Sequence, residues 1–136
     1  MNNRFEVEQA LTLGLPSDDS DSSVQELFDW WMKQARKEAE MVVPKSVKYG
    51  ASSLTRLGHT LAKVAGREVQ DEEAIELGIW FYALGKMERW TDAILRGGRP
   101  DDDLVLDVGI YAKMAQRNRQ CGSWPGHENQ AKKGNS

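Results

Sequence analysis

Apolar residues recur at three- and four-residue steps through four stretches of this chain, and no stretch shows a strict period-two run of β-branched residues. Only the helical repeat of about 3.6 residues gathers such positions on one face. The chain is therefore expected to be all-α, a compact bundle of four main helices. The first predicted helix opens at a capping box, Ser23 with Glu26, and carries Val24, Leu27, Phe28, Trp31, Ala35, Ala39 and Val42 until Pro44 ends it near Val43. KSVKYGASS reads as a turn, and Leu54, Leu57, Leu61 and Val64 mark a helix that stops near Gly66. Asp71 is the expected N-cap of a long helix to about Arg96, where GGRP terminates it. Asp101 is the expected cap of a last helix ending near Cys121.

The ends read differently. Phe5, Val7, Leu11 and Leu13 suit a short amphipathic helix over residues 3–13, followed by a polar linker at residues 16–22. Residues 122–136 offer only Trp124 for burial and are expected to form a flexible, disordered tail after a single helical domain at residues 1–121.

With 136 residues the chain is long enough for a real core. A net charge of −3 gives no basic surplus, so nucleic acid is not an expected partner. The single cysteine, Cys121, excludes an intramolecular disulfide framework and fits a reducing compartment. No apolar run approaches the roughly 20 residues of a membrane span, and the N-terminus lacks a signal-peptide pattern. These features point to a cytoplasmic protein.

Two acids stand alone in apolar runs, Glu76 in AIELGIWFYALG and Asp107 in LVLDVGIYA. A carboxylate so placed is costly to desolvate without compensation, which predicts a partner shared by both, or an ion pair with Lys86, Arg89 or Arg56. Acidic clusters precede each, Asp71-Glu72-Glu73 and Asp101-Asp102-Asp103, at positions that helix N-termini also favour on electrostatic grounds. On the long helix Glu72, Glu76, Ile79, Ala83, Lys86 and Trp90 share one stripe, with Arg89 adjacent; the next helix sets Asp103 and Asp107 one turn apart. Acids at one end and cations at the other suit a metal–polyphosphate ligand, since Mg²⁺ binds oxygen donors and nucleotide phosphates together. Tyr49, beside Gly50, Lys45 and Lys48, and Trp80 are candidates to bound a base; the other aromatic residues are expected to fill space. Adjacent helical positions point about 100° apart, so Trp30 and Trp31 cannot both be covered by one neighbour, which favours a homo-oligomer. No histidine or cysteine has a partner suggesting nucleophilic catalysis or a zinc site.

Glu-x-x-Glu at Glu73 and Glu76, with a second acid pair on the following helix, resembles the all-α nucleoside triphosphate pyrophosphohydrolase superfamily, the MazG-like and dimeric dUTPase-like proteins. Across about residues 44–120 the chain also resembles small phage and bacterial proteins associated with nucleotide modification. Those residues are the Lys45–Gly50 segment, Lys86 with Arg89, and Asp107 with Tyr111. The second superfamily motif, Glu-x-x-Asp, is altered: Leu104 stands three residues before Asp107, so Asp103 supplies the companion acid. The resemblance implies Mg²⁺-dependent (or Mn²⁺-dependent) cleavage of a nucleoside triphosphate to monophosphate and pyrophosphate. It implies metal at Glu72, Glu73, Glu76, Asp103 and Asp107, catalysis centred on Glu76 and Asp107, and substrate contacts from Lys86, Arg89, Tyr49, Lys48, Trp80 and Tyr111. The alternative is a non-catalytic helical module that binds a nucleotide or a host protein and acts as an oligomer.

Overall fold

The computed structural model describes residues 20–126, which form four helices and no strand. These are α1 (Ser20–Tyr49), α2 (Ser52–Val64), α3 (Asp71–Leu95) and α4 (Asp102–Cys121). The expected short helix over residues 3–13 lies outside the described residues. None of the described helices is long and apolar enough to cross a membrane.

Two boundaries of α1 differ from the sequence expectation. Ser23 lies inside the helix and so does not act as its N-cap. Pro44 also lies inside it: the missing N–H weakens a helix by roughly 3 kcal/mol but does not forbid one. The true stop is Gly50, whose φ of 63° suits a left-handed terminus and whose N–H bonds Ser46 O at 2.9 Å. The turn is thus confined to Gly50 and Ala51, and Tyr49 is the last residue of a helix. Packing divides the chain at the proline, into a unit through Val43 and a unit from Pro44. In the first unit Trp30 and Trp31 meet edge to face, with ring centres 5.6 Å apart, and are 54% and 58% exposed.

The second unit is built on a close crossing of α2 and α3. Gly58 abuts the backbone of Ala74, and Gly78 abuts the backbone of Leu54; a Cβ at either glycine would overlap the opposing carbonyl oxygen. The pairing makes the two helices antiparallel. Glycine in a helix interior costs about 1 kcal/mol relative to alanine, a cost that close backbone packing offsets here. Ala51, Leu54, Ile75 and Ile79 form the buried centre, with Tyr111, Met114, Ala115 and Trp124 packed against it. Asp71 is the first helical residue and Gln70 is the N-cap, which leaves the Asp71 carboxylate to meet His59 Nε2 at 2.7 Å across the α2–α3 crossing.

The Arg96–Asp101 connection returns the chain so that α4 runs antiparallel to α3. Asn118, fully buried, donates from Nδ2 to the Glu72 carbonyl at 2.9 Å and ties the end of α4 to the start of α3. α4 ends at Gly122, whose φ is 74°. The chain does not leave the fold there. Ser123 and Gly126 are buried, Trp124 packs on the core, and Arg117 Nε donates to Pro125 O at 3.2 Å. Residues 127–136, with His127, lie outside the described residues.

Gly85, by contrast, has nothing within reach of an added Cβ. Gly85→Ala should therefore stabilise the protein by up to about 1 kcal/mol, whereas Gly58→Val should destabilise it by about 3 kcal/mol through overpacking. Urea denaturation followed by circular dichroism measures both; equal effects would contradict the close crossing.

Candidate functional site

A groove of about 640 Å³ opens along the second unit between α3 and α4. From α3 it is lined by Glu73, Glu76, Leu77, Ile79, Trp80 and Ala83, and from α4 by Val108, Tyr111, Ala112, Ala115 and Arg119. Arg67 and Val69, from the α2–α3 connection, close one end. The contributions recur at helical spacing on each helix, so each presents a stripe and not scattered residues. Short side chains at Ala83, Ala112 and Ala115 leave the space open, and Trp80 provides the broadest wall. Such a cleft, apolar with a few polar groups gathered at one end, is the usual form of a small-ligand site.

The polar end holds two arginines and two glutamates. Arg119 donates to Glu76 Oε1 at 2.6 Å from both Nε and Nη2. Farther along the same pair of helices, Lys86 Nζ lies 3.0 Å from Asp107 Oδ2. Among the described residues the two acids that stand alone in apolar runs thus have separate cations and share no partner. Their side chains are 34% and 36% exposed, so neither is deeply desolvated. Partly exposed pairs of this kind contribute about 0–1 kcal/mol each, enough to orient side chains without dominating stability.

Tyr111 sits beside the second pair, its ring stacked on Tyr82 with centres 6.2 Å apart and planes 13° from parallel. Burial first, and then the negative charge of Asp107, push the Tyr111 hydroxyl above its ordinary value of 10.0, while Lys86 and Arg89 offset part of the rise.

The fold gathers some predicted site residues and separates others. Glu73, Glu76, Trp80 and Tyr111 line the groove; Lys86 and Asp107 pair farther along α3 and α4. The Glu72 side chain and Asp103 are solvent-exposed at helix starts, and neither lines the groove. Arg89 is exposed, near enough to influence Tyr111. Tyr49 and Lys48 belong to the end of α1, where the lysine nitrogen lies 5.2 Å from the tyrosine ring centre, and neither lines the groove. Among the described residues no three or more His, Cys, Asp or Glu side chains are placed to hold a metal ion. The five acids picked out as metal ligands are therefore not assembled into one group.

Sequence reasoning passed over Arg67 and Arg119, which line the groove, and Asn118, which ties α4 to α3. Arg119 was within reach: a short connection between two long helices makes them antiparallel, so the first acids of α3 must face the last cations of α4. Arg67 had no comparable signal, because it lies in a connection without periodicity. No family model, curated protein or solved structure matches this chain.

The raised Tyr111 hydroxyl gives an alkaline prediction. A group whose folded value is raised contributes stability that is intact below the unfolded value and is lost as pH rises through the folded one. Absorbance titration of tyrosinate should show a phase above the ordinary tyrosine value of 10.0, and Tyr111→Phe should remove that phase. Stability should fall more steeply above pH 10.0 in the native protein than in Tyr111→Phe. A titration unchanged by Tyr111→Phe above pH 10.0 would contradict the environment described.

Proposed function

We propose that this chain is a helical nucleotide-binding module whose α3–α4 groove takes a nucleoside triphosphate. One observation carries the reading: an apolar, Trp80-walled cleft ends in two arginines, Arg67 and Arg119. A nucleotide combines the matching parts, a flat base and a polyanionic chain. The indole of Trp80 offers a stacking surface, and guanidinium groups are suited to phosphate through bidentate donation. The resemblance of the Lys45–Gly50 segment, Lys86 with Arg89 and Asp107 with Tyr111 to nucleotide-modification proteins supports the same ligand class.

Glu76 has a defined part in that reading. It holds the Arg119 fork at the groove's polar end, and a phosphate carrying more charge competes with it for the same donors. Glu76 thereby keeps the arginine oriented and makes entry selective for strong anions over neutral apolar molecules. Lys86, held by Asp107, is spoken for in the same way and would reach a phosphate only by exchanging its partner.

The second reading, Mg²⁺-dependent hydrolysis to monophosphate and pyrophosphate, is favoured by Glu73 and Glu76 lining the same groove. The acids it needs are spread over two places in the described residues, with Asp103 exposed and Asp107 paired to Lys86. Binding is therefore the conclusion here and turnover the subordinate claim.

Calorimetric titration with deoxyribonucleoside and ribonucleoside triphosphates, with and without Mg²⁺, separates them. Native protein is expected to bind at least one triphosphate, and Arg119→Ala to weaken it by about 10- to 100-fold, the value of a hydrogen bond to a charged group. Pyrophosphate released on incubation and lost in Glu76→Gln would add turnover to binding. Heat change with no triphosphate, under either condition, would defeat the proposal.

A further inference from the structure

The groove carries a second aromatic residue besides Trp80, and it stands on the other helix. Three pairs span α3 and α4 and fix their register: Glu76 with Arg119, Tyr82 with Tyr111, and Lys86 with Asp107. Counted along α3 from Glu76 at about 1.5 Å per residue, Trp80 stands about 6 Å into the groove and Tyr111, level with Tyr82, about 9 Å. Each helix thus contributes one aromatic wall, and the two are staggered by about 3 Å along the cleft. Ala83 and Ala112 lie at the level of Tyr111 and keep that part of the cleft open.

Tyr111 is also held in place. Its ring is stacked on Tyr82, with centres 6.2 Å apart and planes 13° from parallel, and Tyr82 is not among the residues that line the groove. Tyr82 therefore backs Tyr111 from the side away from the cleft, while the buried core packs against Tyr111 as well.

We propose that Trp80 and Tyr111 together grip the base and that the ligand is a purine nucleotide, an inference that rests on the nucleotide reading of the same groove. A single pyrimidine ring meets one wall at a time, whereas the fused rings of adenine or guanine extend across the stagger to both. The order of groups along the cleft agrees: Arg119 at the polar end and the aromatic walls one to two turns farther in, as phosphate, pentose and base follow one another in a nucleotide. Stacking on one aromatic side chain tolerates any base. A preference here comes from ring size, which two staggered walls read and one wall does not. Tyr111 is accordingly a specificity-determining residue, and Tyr82 a positioning residue that acts through it.

Calorimetric titration of the full chain with ATP, GTP, CTP and UTP tests the inference. ATP and GTP are expected to bind about 10-fold more tightly than CTP and UTP. Tyr111→Leu, apolar but without a ring, should bring the purine affinities down to those of the pyrimidines with helical circular dichroism retained, and Tyr111→Phe should keep the preference. Tyr82→Leu should narrow the preference by about 3-fold, the value of an aromatic pair. Equal affinities for all four in the native protein, or a purine preference that Tyr111→Leu leaves intact, would overturn the inference while the nucleotide reading stands. No heat change with any of the four would overturn both.

Discussion

Two glycines set the geometry on which the rest of the second unit depends. Gly58 and Gly78 let α2 and α3 approach until backbone meets backbone, and any side chain larger than hydrogen would force them apart. The contact fixes the rotation of α3 about its own axis. With Gly78 turned to α2, Ile75 and Ile79 point into the core, and Glu76 and Trp80, each one step of about 100° away from an isoleucine, point to the groove. The groove-lining surface on one side of the helix is thus a consequence of a missing Cβ on the other.

Polar contacts then set α4 against α3. Asn118 grips the Glu72 carbonyl, Arg119 the Glu76 carboxylate, and Lys86 of α3 the Asp107 carboxylate of α4. Individually the exposed pairs are weak. Together they leave one antiparallel register, in which Ala112 and Ala115 of α4 line a cleft with Trp80 and Ala83 of α3. His59 with Asp71 does the same for α2, giving a purpose to an acid that helix electrostatics alone would have explained.

The fold class and most helix boundaries were legible in the sequence because they follow from periodicity and caps. Gly66, the Arg96–Pro100 segment, Asp101 and Cys121 all mark ends where expected. Pro44 misled because a proline weakens a helix without always ending one, and the structure spends that penalty within α1. The site was half legible. Glu73, Glu76, Trp80 and Tyr111 share the groove because they lie on faces that helical spacing makes readable. Tyr49 and Lys48 were drawn in by an apparent loop that is in fact helix. The partners of Glu76 and Asp107 required knowing which helices are antiparallel, a tertiary fact. Burial had been overestimated: an acid between apolar neighbours in sequence is still a third exposed when its helix face meets an open groove.

The central claim is that the α3–α4 groove is the ligand site and that Trp80 is its wall. The chain has five tryptophans, so its indole N–H groups form a small set of nitrogen-15 resonances that substitution can assign. Adding a nucleoside triphosphate should move the Trp80 resonance while those of Trp30 and Trp31, on α1, stay in place. A Trp80 resonance that remains fixed at saturating nucleotide, or a response confined to Trp30 and Trp31, would contradict the account.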